Sequence, residues 1–341
     1  MSESATLGRA VGERVNRSMG QRYHRIDNIR FILIFLVVFA HLIEPMRNAD
    51  TVGAVYTVIY VFHMPAFVFL TGYFARFSWR RIGVLALEYA VFQIIYLLVD
   101  WALAGSVGAP EIQFLVPDWI MWYLLATFVW MLLVPAFKTS NRARMAVTLG
   151  VSIAIAIAAG FFDDIGYFFS VSRILVFAPF FIAGYYARRL TQPGPEDSNA
   201  QAWKPSRKAM AVVGAVGAAA TIATVLLVDI PPASLYNSLS YALTETGPLM
   251  RLGMMALAGC WICLLFAVVP NKRVRAITYA GSHTMPIYLL HGLVVRVLRS
   301  MQLLGGVSEA CLIAVAIVIA AVLVFAFGNK ACDKIVRFGL K

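Results

Sequence analysis

The chain has 341 residues, 61% hydrophobic and 13% charged, with a mean hydropathy of +0.77. Soluble domains carry about 45–50% apolar and about 25% charged residues, so this composition excludes a water-soluble enzyme and a disordered chain and defines a polytopic membrane protein. The formal net charge of +12 points to nucleic acid only if membrane topology does not account for it.

Ten apolar segments follow in order, at 30–46, 53–75, 82–104, 118–137, 145–161, 173–188, 209–228, 249–269, 280–300 and 307–328. A helix needs about 20 residues to cross a hydrocarbon core of about 30 Å. The first and sixth segments are short and need flanking residues or local thinning of the bilayer. Val, Ile and Phe are frequent, but in lipid each backbone group must be bonded within its own segment, which favours helices over strands. The expected fold is all-α, a polytopic transmembrane helix bundle of about ten helices.

With ten crossings, both ends and the even-numbered connections share one side, and that side holds 24 of the 29 Lys and Arg. The positive-inside rule makes it cytoplasmic, places both termini there and predicts a multi-pass protein of the inner membrane. Topology therefore accounts for the charge, and no nucleic acid is expected as a partner. Residues 1–29 read as a basic cytoplasmic tail, 30–328 as the transmembrane domain and 329–341 as a second cytoplasmic tail. The first apolar run has no small-residue cleavage site and reads as a retained helix. The loop 189–208, which includes TQPGPEDSNAQAWKPS, reads as a flexible linker. No internal repeat supports an inverted-repeat transporter. Cys260 and Cys263 form a C-x-x-C inside the run MMALAGCWICLLFAVV and read as packing residues; no metal is expected.

Ionisable groups at bilayer depth are costly and mark candidate function. His63 and His291 fall near the middle of their segments, and His41 in the outer half of the first. Arg30 and His41 are eleven residues apart, nearly three turns, so they share a face about 16 Å apart along the axis. Asp27 and Glu44 extend that stripe. Two readings stand: a snorkelling basic anchor with a packing histidine, or an anion-binding arginine at the cytoplasmic mouth with a base deeper along one channel.

The Arg30–His41 spacing in RIDNIRFILIFLVVFAHLIEP resembles the opening signature of the acyltransferase-3 family of integral membrane O-acyltransferases, and more narrowly their fucose 4-O-acetylase-like branch. Four further stretches agree in order: FHMPAFVFLTGYF (62–74), PDWIMWYLLATFVW (117–130), SRILVFAPFFIAGYYARR (172–189) and YAGSHTMPIYLLHGL (279–293). The resemblance covers about residues 25 to 328. It implies a transferase that uses acyl-CoA, acetyl-CoA first among donors, to acylate a hydroxyl of a cell-envelope carbohydrate or glycolipid. It implies that Arg30 and His41 are the pair required for activity and that His63 and His291, candidate catalytic residues, stand at recurrent family positions. The sequence ends soon after the tenth segment, so the extra extracytoplasmic domain of some members is expected to be lacking here.

Moving an acyl group from a thioester to an alcohol needs a base for the hydroxyl proton, and neutral imidazole suits that near about pH 7. Glu44, one turn from His41, is the first candidate to orient it and Glu88 the second. Tyr123, Tyr288 or another histidine are candidate oxyanion donors. The acidic end of CoA suits Arg30 with the loop residues Arg76, Arg80, Arg81, Lys272, Arg273 and Arg275, although positive-inside charge falls there in any case. On the outer side Trp119, Trp122, Tyr123 and Tyr236 are candidates to stack on a sugar. Arg173, Arg251 and Arg296, exceptions to the charge rule, are candidates for acceptor hydroxyls or a lipid phosphate. The rival reading is a transporter or flippase for a lipid-linked sugar, with the histidines as proton relays.

Overall fold

The structure, a computed structural model, describes residues 24–104, 115–192, 202–302 and 306–340. Among the described residues every regular element is helical, and nine helices are long and apolar enough to cross a membrane. In chain order these elements begin with α1 (His24–Ile43), α2 (Asp50–Phe74), α3 (Trp79–Leu103), α4 (Trp122–Leu133), α5 (Arg142–Ala158), α6 (Val171–Thr191) and α7 (Arg207–Leu227). Two short helices, α8 (Pro232–Leu235) and α9 (Tyr241–Thr244), lead into α10 (Pro248–Val268). The last four are α11 (Arg275–Gly281), α12 (Thr284–Ser300), α13 (Glu309–Phe327) and α14 (Lys330–Val336). The protein is a polytopic helical bundle of the expected class.

The ninth apolar segment differs from expectation. Instead of one helix over 280–300, the chain breaks between α11 and α12, because Pro286 has no N–H to give the carbonyl of Ser282. α12 has only 17 residues, yet it traverses the bundle: Thr284 shares a cavity with Arg30 at one end and Arg299 bonds Glu44 at the other. Two boundaries also move. The first helix already includes His24, and the expected C-terminal tail contains α14, which packs on α12. The rest of the N-terminal tail and the middle of the 189–208 linker lie outside the described residues.

α1 is central, packed by α2, α11, α12 and α13. α2 crosses α6 so closely that a Cβ on Gly72 would overlap the backbone of Phe181, and one on Gly184 the backbone of Phe69. Glycine at such crossings is how helices in lipid gain dispersion contact. On α7 and α10 the large side chains of Leu226, Leu227 and Leu249 point outward and exposed, as a lipid-facing surface requires.

Hydrogen bonds between connections define two ends. At one, which we call the basic end, buried Asn28 donates to the Pro270 and Lys272 carbonyls at 3.2 and 3.0 Å. Arg25 N–H meets Asn271 there at 3.0 Å, and Lys330 N–H meets the Tyr279 hydroxyl at 3.2 Å. At the far end, Val52 N–H donates to Glu309 and Phe169 N–H to the Leu115 carbonyl, both at 2.7 Å.

Candidate active site

A cavity of about 470 Å³ occupies the far half of the bundle, lined among others by His41, Glu44, His63, Trp119, Arg173 and Tyr236. A second, of about 260 Å³, lies toward the basic end, with Arg30, Thr71, Tyr123, Thr284, Asp333 and Arg337 in its wall. Val37, Met64 and Tyr288 line both, so these three side chains form the partition between them. Ala75 joins the second cavity to a hollow of about 530 Å³ on the basic end, walled by Arg76, Lys138, Arg188 and Arg189. Helical periodicity brings Arg30, Val37 and His41 to one face of α1, Glu44 follows them in the 3-10 turn beyond its end, and this row of residues runs along both cavities.

His41 stands in the last turn of α1, where Pro45 turns the chain into the short 3-10 helix Glu44–Met46. Its Nδ1 is 3.4 Å from Glu44 Oε2. An ionised carboxylate only accepts, so Nδ1–H donates and Nε2 is left as an acceptor. Arg299 of α12 donates to the same Oε2 at 2.5 Å and to the His41 carbonyl at 2.6 Å. The Trp119 ring centre is 4.6 Å from that of His41 and 4.8 Å from Arg299 Cζ. Trp119 has φ of +32°, a left-handed conformation that non-glycine residues rarely adopt and that clusters at functional sites.

His63 and His291 each donate Nδ1–H to the carbonyl one turn back, Ile59 at 2.8 Å and Ile287 at 2.9 Å. In a neutral ring that again leaves Nε2 as the acceptor. His291 stacks on His41 with ring centres 5.6 Å apart, but its Nε2 is buried without a hydrogen-bond partner among the described residues, and it does not line the far cavity. Tyr60 sits edge-on to His63 at 4.7 Å and to His41 at 6.5 Å. The three intramembrane histidines therefore converge, and His41 is the one backed by a carboxylate. Glu88 is buried elsewhere, 3.8 Å from Arg337.

The other candidates separate. Trp122 lines the far cavity and stacks on Phe177 at 5.1 Å. Tyr123 faces the basic-end cavity, its hydroxyl 2.5 Å from Thr71 Oγ1, and the Tyr288 hydroxyl donates to the Ile120 carbonyl. Tyr236 meets the Tyr56 hydroxyl at 3.1 Å; burial holds its phenol above the ordinary range, so it stays neutral. Arg296 pairs with Asp100 and Asp118. Arg251 donates to the Ala156 and Leu239 carbonyls at 3.1 and 3.4 Å, outside both cavities. Arg30 lies over the Phe74 ring at 4.5 Å and 3.8 Å from Asp27. Arg76 walls the basic hollow, whereas Arg80, Arg81, Lys272, Arg273 and Arg275 are exposed and line none of these three spaces.

Sequence reasoning passed over Tyr60, Arg299, Arg337 and the cluster Lys138, Arg188 and Arg189. Tyr60 stood one turn from His63, and Arg299 is among the five basic residues, with Arg47, Arg173, Arg251 and Arg296, that fall on the side opposite the other 24. Arg337 carried no signal, because its segment reads as a solvated tail.

The fold and the site define a multi-pass helical membrane protein with two cavities back to back along one helix. The family model described as an acyltransferase domain matches residues 23–328. The chain belongs to that acyltransferase family. It is also similar to nodulation protein NolL of Mesorhizobium japonicum (strain LMG 29417 / CECT 9101 / MAFF 303099), 24% identical over 152 residues that make up 39% of this chain and 40% of NolL. The match thus spans less than half of that relative's length. No solved structure matches the chain.

Proposed function

We propose that the protein transfers an acyl group, acetyl in the first instance, from acyl-CoA to a hydroxyl of a carbohydrate or glycolipid of the cell envelope. The observation that carries this reading is the pair of cavities along α1, with a guanidinium in one and a carboxylate-backed imidazole in the other. The excess of Lys and Arg at the basic end supports placing that end in the cytoplasm, with both termini there and the protein in the inner membrane. The phosphates of CoA then suit Arg76, Lys138, Arg188 and Arg189 around the hollow, and Arg30 at the entrance to the channel. The narrow pantetheine arm lies past Thr71 and Tyr123 and brings the thioester to the partition at Val37, Met64 and Tyr288.

The acceptor enters from the far side. His41 Nε2 takes the hydroxyl proton as the oxygen attacks the thioester carbon. The tetrahedral intermediate collapses, the C–S bond breaks, and the imidazolium returns the proton to the departing thiolate. Glu44 accepts the Nδ1–H, fixes the ring and stabilises the imidazolium, while Arg299 holds Glu44.

The test is release of free CoA thiol by purified protein given acetyl-CoA and a mixture of glycosides. His41→Ala is expected to lower turnover by about 10²–10⁴-fold, the range for losing a general base, with acetyl-CoA binding unchanged. A larger loss in His63→Ala than in His41→Ala reassigns the base. A wild-type protein that consumes no thioester favours the transporter reading.

A further inference from the structure

We propose that the acceptor carries an anionic group, a carboxylate or a phosphate, and that Arg173 binds it. The inference rests on reading the far cavity as the acceptor site. Two arginines line that cavity. Arg296 holds Asp100 and Asp118, and the remaining carboxylate of the wall, Glu44, is held by Arg299. Arg173 has no carboxylate partner among the described residues. Its Nε donates to the Tyr236 carbonyl at 3.0 Å, and its Cζ lies 5.3 Å from the ring centres of both Trp122 and Tyr167.

A guanidinium enclosed by aromatic rings, with one N–H spent on a backbone carbonyl, keeps four N–H donors in a planar fork that matches an oxyanion. Burying a cation without a counter-charge is costly, and a bound anion removes that cost. The local backbone builds the position. Phe169 and Ser170 both have left-handed φ, +49° and +50°, which swings α6 into its first turn with Arg173 as its third residue. Ser172 Oγ donates to the Asn237 carbonyl at 2.9 Å, so this turn and the segment carrying Tyr236 are tied together over the cavity. The positive end of the α6 dipole adds to the attraction for an anion. Arg251, tied to two backbone carbonyls outside the cavity, has no such role.

The shared chemistry has two sources, a sugar carboxylate or the phosphate of a lipid carrier, and matched pairs distinguish them. Binding to the full chain in lipid nanodiscs is measured by calorimetry for methyl glucuronide against methyl glucoside, and for farnesyl phosphate against farnesol. The charged member of one pair is expected to bind about tenfold tighter or more, which is the worth of one charge-assisted contact. The glucuronide identifies an acidic sugar, and farnesyl phosphate a lipid-borne phosphate. Arg173→Gln is expected to abolish the preference, and Arg173→Lys to keep part of it. Equal binding within both wild-type pairs overturns the proposal before any variant is made. So does a preference that survives Arg173→Gln, or an Arg173→Gln that lowers turnover while leaving both pairs unchanged, which is the signature of a group acting on the transition-state oxyanion. No thioester is present in the binding measurements, so failure of acyl transfer is read separately.

Discussion

One oxygen of Glu44 receives two donors, His41 Nδ1 at 3.4 Å and Arg299 Nη2 at 2.5 Å. The shorter contact joins opposite charges and is the stronger of the two. Arg299 therefore fixes where the carboxylate sits, and His41 takes what remains of its lone pairs. Arg299 also holds the His41 carbonyl at 2.6 Å, so the same guanidinium nitrogen ties the His41 backbone to the carboxylate that meets its ring. The three residues act as one unit, and units of this kind are not additive under mutation. Glu44→Gln and Arg299→Gln are each expected to lower kcat by about tenfold, and the double variant to lie within about threefold of the worse single one. Thiol-release kinetics on the four proteins decide it, and a double loss equal to the product of the singles would mean that the two residues work separately.

At the scale of elements, nearly all helices were legible, because an apolar run long enough to span lipid has no other stable backbone. The distribution of Lys and Arg likewise foretold which connections share an end. The break at Pro286 was present in the sequence too, but an apolar segment read only by its length conceals it. What hydropathy cannot show is which helices touch, since lipid tails and helix faces are equally apolar. The α2–α6 crossing at Gly72 and Gly184 is of that kind, and so is the packing of α14 on α12. In the site, the Arg30–His41 face and the Glu44 contact followed from helical spacing alone, whereas the difference between Arg173, Arg251 and Arg296 depends on tertiary partners and was not readable. The crossing gives a direct test. Gly184→Ala forces a methyl group into the backbone of Phe69 and is expected to destabilise by about 1–3 kcal/mol, the usual result of overpacking. Gly253→Ala, whose added Cβ meets open space, is expected to be neutral within about 0.5 kcal/mol. Thermal unfolding in one detergent compares them, and equal melting temperatures would remove the close crossing from the account.

Across the whole molecule, the proposed reading makes the partition between the cavities the place where donor and acceptor meet, and its three members are not equivalent. Val37 is fully enclosed on the central helix. Tyr288 is tied through its hydroxyl to the Ile120 carbonyl. Met64 is half-buried, unbranched, and has three rotatable bonds with no polar tether, so it is the member that can swing aside at least cost. On that reading its side chain sets how wide an acyl group reaches His41. Met64→Trp is expected to leave the acetyl-CoA Kd within about threefold while lowering transfer by about 10²-fold, as a small misplacement of reacting groups does. Met64→Ala is expected to raise transfer from butyryl-CoA relative to acetyl-CoA, because the pocket beside the thioester gains the volume of the lost thioether. Donor binding and transfer are measured on the same preparations, one by calorimetry and the other by thiol release. If Met64→Trp weakens binding and transfer in step, the residue belongs to the donor pocket and not to the passage, and the two cavities are not joined at Met64.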